Sequence, residues 1–99
     1  MNATPADSIQ HRESPARGEF FIERDGKRIA ELTYSVAGSD VVVGHTWVDP
    51  QHRGGTLAPD LVKAVAAWAR GEKRQIVPVC SYVRSVFTRK AEYADVWKR

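Results

Sequence analysis

The chain has 99 residues, 42% of them hydrophobic and 27% charged, with a net charge of +3. This is the composition of one globular domain with a single core about two layers deep. Its one cysteine, Cys80, excludes an intrachain disulfide and suits a reducing cytoplasm, and no apolar run has signal-peptide or membrane-spanning length.

The charge is uneven. Residues 1–50 hold 5 Lys and Arg against 8 Asp and Glu, a net −3. Residues 51–99 hold 10 against 4, a net +6. A basic second half suits an anionic ligand, either a small polyphosphate or nucleic acid, and equally suits a solvated helical surface.

In chain order, residues 1–7 read as a flexible N-terminus and residues 8–97 as the domain. Ser8 to Glu13 predicts a short edge strand held by Ile9. Glu19 to Arg24 predicts a second strand, and Asp25-Gly26 is a two-residue hairpin turn. Lys27 to Val36 returns as the third strand. Ala37 to Asp40 turns again, and Val41 to Val48 forms the fourth strand, its three valines implying burial on both faces. The period then changes. Leu57, Ala58, Leu61, Val62, Val65, Ala66 and Ala69 follow helical spacing. Gly55 or Thr56 can cap that helix, Pro59 fits its first turn, and Arg70 with Gly71 is the expected stop. Gln75 to Cys80 predicts a short strand whose Pro78 needs an open or splayed edge. A second helix from Ser81 to Lys90 and a final turn over Ala91 to Trp97 complete the chain. The fold class is α+β: a mainly antiparallel sheet with two helices packed on it, strands 41–48 and 76–80 being parallel and splayed.

The chemistry centres on Gln51-His52-Arg53-Gly54-Gly55-Thr56-Leu57-Ala58. It lacks both the Gly-Lys-Ser/Thr ending of a Walker turn and the dinucleotide fingerprint. A glycine turn that enters a helix still offers free amides and the positive end of the helix dipole to a phosphate. Cys80 precedes a helix N-terminus, which lowers a thiol pKa. His45 follows Gly44, where a bulge could re-aim it, and a neutral imidazole there could take a proton. His11 and His52 read as surface residues, and Trp68 as packing. The histidines and cysteine are too scattered for zinc.

The run His45-Thr46-Trp47-Val48-Asp49-Pro50 followed by Arg53-Gly54-Gly55-Thr56-Leu57-Ala58 resembles the signature of GNAT-type N-acetyltransferases. With Val77-Pro78-Val79-Cys80 and Tyr93-Ala94-Asp95, it is similar to the small stand-alone (YjdJ-like) group. The family turn usually has glycine where this chain has Thr56, an acidic residue is common at Trp47, and Pro59 is unusual. The resemblance implies acetyl-CoA as cofactor and a primary amine as acceptor. The pyrophosphate would lie on the amides of Gly54 to Ala58 beside Arg53. The pantetheine arm would run between the splayed strands, bonding to backbone near Trp47 and Val48. The resemblance also places Cys80 beside the thioester, as nucleophile or pocket wall, and makes His45 or a water the base. Tyr82 or Tyr93 could protonate the leaving thiolate, and Tyr93 belongs to the cofactor set. The alternative is a non-catalytic module that binds CoA, or binds nucleic acid through Arg84, Arg89, Lys90, Lys98 and Arg99 with Tyr82 and Trp97.

Overall fold

A computed structural model describes residues 8–99; the N-terminal segment expected to be flexible, residues 1–7, lies outside the described residues. Five strands form one sheet in the order β1-β2-β3-β4-β5. These are β1 (Ile9–Glu13), β2 (Arg17–Arg24), β3 (Lys27–Ala37), β4 (Asp40–Val48) and β5 (Gln75–Pro78). The first four run antiparallel to their neighbours, and β5 lies parallel to β4. Helix α1 (Leu57–Gly71) crosses between β4 and β5, and α2 (Ser81–Arg89) follows β5. A 3-10 segment over Ala91–Val96 ends the fold. Among the described residues no helix is long and apolar enough to cross a membrane.

The β2–β3 hairpin turns through Asp25 (φ 54°) and Gly26 (φ 77°), the pair of left-handed residues that matches strand twist in a two-residue hairpin. Alternation along the strands then sorts the sheet into two unlike faces. One carries Phe20, Ile22, Ala30, Leu32, Tyr34, Val41, Val43 and Ile76. It packs with Leu61, Val62, Val65, Ala66 and Ala69 of α1 and with Val83, Val86 and Phe87 of α2. The other face carries Arg12, Glu19, Phe21, Glu31, Thr33, Val42 and His45, none of which belongs to that core. Phe21 is nonetheless buried there, because Arg12 and Arg28 lie over its ring at 5.0 and 4.0 Å. Arg28 also bonds Glu19 at 2.8 Å and Glu31 at 3.2 Å, so the open face is held by a charge network over one aromatic ring.

Two differences from the sequence reading matter. Strand β5 ends at Pro78 rather than Cys80, because proline has no N–H to continue the ladder. The amides of Val79 and Cys80 both turn to the Val43 carbonyl, at 3.0 and 2.9 Å, and α2 begins at once. His11, expected at the surface, is half-buried on the core side. It stacks on Phe20 at 3.9 Å, and its Nε2 lies 2.7 Å from the Tyr34 hydroxyl. Period-2 alternation on an edge strand was the available signal, since His11 shares a face with Ile9.

Burial pushes the His11 pKa down from 6.5, against a smaller upward pull from Glu13. Burial, with Glu13, pushes Tyr34 up to about 12. A depressed histidine contributes stability that is fully present above its unfolded value and is lost as pH falls through the folded one. The melting temperature is therefore expected to drop as pH is lowered from about 7.5 to about 5.5, and His11→Asn to flatten that slope. The carboxylates whose pKa values are lowered, Glu19, Asp49 and Asp95, titrate below this window. An unchanged slope in the variant would remove His11 as its source.

Candidate active site

Strands β4 and β5 are paired only from Asp40↔Gln75 to Val43↔Pro78. Beyond Val43 the β5-facing edge of β4 is open, while its other edge stays paired to β3 through Val48. The split is built by three local features: Pro78 ends β5, α2 starts three residues later, and β4 carries a bulge. In the β3–β4 ladder Thr33 pairs with His45 and Tyr34 with Val43, so Gly44 is the extra residue.

A groove of about 400 Å³ opens on the helix side of this split, lined by Thr46, Trp47, Val48, Arg53, Gly54 and Gly55 and closed by Leu57, Ala58 and Tyr82. Gly54 takes φ 91°, a left-handed value that a side chain would strain. Thr56 precedes α1 with no side-chain cap. Among the described residues no group accepts a hydrogen bond from the amides of Gly54, Gly55, Thr56, Leu57 or Ala58. Five successive free amides at the positive end of a 15-residue helix present the donors and partial positive charge that an anion needs.

The turn is braced from both sides. Asp49, buried at 6% exposure, accepts from the Gln51 amide at 2.9 Å and pairs with Lys27 at 3.3 Å. The Gln51 amide is the main cause of its lowered pKa. Arg53 Nε donates to the Val48 carbonyl at 2.9 Å, which ties the turn to the end of β4. The Thr56 hydroxyl donates to Asp60 at 3.0 Å, and Thr56 does not line the groove by side chain. His52, expected at the surface, does line it, 4.0 Å from Asp49. Tyr93, expected at the cofactor, is in the core instead. It is 5% exposed, stacks on Phe87 at 5.1 Å and does not reach the groove. The 3-10 segment turns its ring inward, and neighbouring Asp95 fixes that segment to α1 through a two-pronged bond with Arg70 at 2.6 and 2.9 Å. Tyr82, in the first turn of α2, holds the groove position that Tyr93 does not.

Cys80 is the N-cap residue of α2, with Sγ 3.4 Å from the Thr46 hydroxyl. Burial pushes its thiol up, but Thr46 and the amides of Val83 and Tyr82 together outweigh burial, and the net shift is downward. Tyr82 is raised by burial, with Arg89 opposing, and so keeps its proton. His45 sits on the open sheet face, with Nε2 2.9 Å from Glu31. Sequence reasoning missed Glu31 and Thr46; each is one strand or more from its partner, and no local spacing joins them. The aromatic rings of the basic patch are engaged elsewhere: Trp97 packs edge-on against Phe87 and lies under Arg99.

The sequence model of the GCN5-related N-acetyl-transferase family matches residues 19–96, and the chain belongs to that family. The chain is thus an N-acetyltransferase, with acetyl-CoA as donor. A GCN5-like protein from Staphylococcus aureus, solved by NMR, is similar at 25% identity and TM-score 0.74, over 94% of this chain and 89% of its own. Two further structures share the fold. A ribosomal-protein-alanine N-acetyltransferase from Brucella melitensis is 20% identical at TM-score 0.57, over 77% of this chain and 62% of its own. An aminoglycoside N-acetyltransferase in complex with CoA is 17% identical at TM-score 0.57, over 88% and 63%. Among curated proteins none matches the sequence significantly.

Proposed function

We propose that the five free amides from Gly54 to Ala58 hold the pyrophosphate of acetyl-CoA, with Arg53 and His52 beside it, and that the pantetheine arm runs along the open edge of β4 past Trp47 and Val48. The observation that carries this reading is the unpaired amide run at the mouth of the split. The thioester then lies where β4 bulges at Gly44. His45 acts as general base: with Nε2 held by Glu31, its Nδ1 is the nitrogen free to take a proton from the ammonium. The amine nitrogen bonds to the carbonyl carbon, and backbone amides of the open strand stabilise the oxyanion. The C–S bond breaks, and the thiolate takes a proton from Tyr82, which burial keeps protonated. The single cysteine fits a reducing compartment, and we place the reaction in the cytoplasm.

A melt with and without acetyl-CoA tests the cofactor placement. Ligand at about 100 times its dissociation constant contributes roughly 2.7 kcal/mol, on the order of 10 °C for a domain of this size. A shift with ATP as large as that with acetyl-CoA would reduce the site to a generic phosphate cradle.

A second route, through an acetyl-Cys80 intermediate, draws on the hydrogen bonds that lower that thiol's pKa. Direct attack predicts that Cys80→Ala keeps turnover within about tenfold of the parent and that no acetylated Cys80 is trapped. Loss of a thousandfold or so, with acetyl-Cys80 seen by mass spectrometry, would establish the covalent route.

A further inference from the structure

A second groove, of about 800 Å³, lies on the sheet face away from the helices. It runs from Arg12 and Arg17 beside the β1–β2 turn, over Glu19, to Val42, Gly44 and Val79. Gly44 is the β4 bulge, and Val79 follows the last residue of β5, so this groove reaches the split from the face opposite the cofactor groove. Its apolar end is well marked: Val79 is 61% exposed, the one large hydrophobic so exposed among the described residues.

The charged groups that line the groove, Arg12, Glu13, Arg17 and Glu19, are not all paired with one another. Arg28 holds the Glu19 carboxylate at 2.8 and 3.3 Å, and Arg12 stands 3.6 Å from it. Hydrogen bonding to Arg28 is the main cause of that carboxyl's lowered pKa. Glu19 is therefore committed within the protein. The Arg17 guanidinium has no ion-pair or hydrogen-bond partner among the described residues. In register, Arg17 pairs with Ser35 and Ser35 with Val42. Two strand spacings, about 10 Å, separate this free cation from the strand that carries the bulge.

We infer that this groove binds the acceptor, and that the acceptor is an amino carboxylate rather than a polyamine. Its carboxylate meets Arg17 in a forked, charge-assisted pair. Its aliphatic part covers Val42 and Val79, and its amine reaches the bulge next to His45. A polycation entering the same groove meets Arg12 and Arg17, and the Glu19 carboxylate beside them is already held by Arg28. This inference rests on the acetyltransferase reading above.

The test uses the purified full chain with acetyl-CoA, following acetylated product by mass spectrometry, with a parallel melt in acetyl-CoA. The acceptors are 6-aminohexanoate, hexylamine and cadaverine. The amino carboxylate is expected to exceed both amines by about tenfold in kcat/KM, and Arg17→Ala to bring that ratio to about one through KM. Arg17→Lys should retain part of the preference. Equal rates, a preference for cadaverine, or a ratio that survives Arg17→Ala would overturn the inference. An acetyl-CoA melting shift with no turnover of any of the three also overturns it while leaving the cofactor site intact. No shift and no turnover overturns both.

Discussion

Gly55→Glu is expected to abolish acetyl-CoA binding without unfolding the protein. A Cβ at Gly55 meets nothing within 4 Å, and the residue has no left-handed φ to strain. The new carboxylate would lie among the free amides that end at α1, where it takes the place of the phosphate and repels it. Two unit charges 4 Å apart interact by about 4 kcal/mol at an effective dielectric near 20. Salt screening reduces that, and a loss of at least about a hundredfold in affinity remains. Gly55→Lys, equally bulky and opposite in charge, should bind far better than the glutamate variant. Calorimetric titration with acetyl-CoA, beside a ligand-free melt, reads both quantities. Equal loss in the two variants would mean that bulk, not charge, governs the turn, and wild-type affinity in Gly55→Glu would move the phosphate elsewhere.

Gly18→Ala is expected to cost about 2 kcal/mol of stability, a fall in melting temperature on the order of 10 °C. Gly18 pairs with Tyr34 across β2 and β3, and the tyrosine lies over it. A methyl group there would overlap the Tyr34 hydroxyl and ring and come within 2.8 Å of the Arg12 carbonyl. Neither neighbour can yield cheaply. The ring is 4% exposed, bonded to His11 at 2.7 Å and packed on Trp68 at 5.1 Å. The carbonyl belongs to the neighbouring strand. In a Tyr34→Ala background the same glycine substitution should cost much less, a coupling that a double-mutant cycle measures. A single variant that melts within about 2 °C of the parent would show that the sheet can spread locally.

The difference between these two glycines shows where local sequence stops being informative. Gly55 was legible as part of a glycine turn entering a helix because its neighbours, Arg53, Gly54 and the helical repeat from Leu57, are contiguous. Gly18 carries no such local signal, because the ring that forbids a side chain there comes from a residue 16 positions later. The strands and helices were legible to within a few residues for the same reason as Gly55. Valine runs, the Asp25-Gly26 turn and the spacing of Leu61, Val62, Val65 and Ala69 are short-range signals that tertiary packing then reinforces. The ends shifted where a backbone partner decided them, as with Cys80, which leaves the strand because its amide follows Val43.

The candidate site divides along the same line. The run of free amides was readable, since it lies in consecutive residues at a helix entrance. Tyr93 was misplaced because a tyrosine near a helix end looks alike whether its ring points to solvent, ligand or core, and only its stack on Phe87 decides. Glu31 behind His45 could not be found, because strand register brings together residues 14 positions apart.

By itself the sequence determined the α+β order, the glycine turn at a helix entrance and the family whose motifs it carries, all properties of neighbouring residues and of hydrophobic period. The tertiary structure alone decided how the sheet splits after Val43, which tyrosine faces the groove, which carboxylates are already committed to arginines, and that the Arg17 guanidinium has no partner among the described residues. Those depend on which strand lies beside which and in what register, and register is set by the packing of the whole sheet against α1 and α2 rather than by any one stretch of chain.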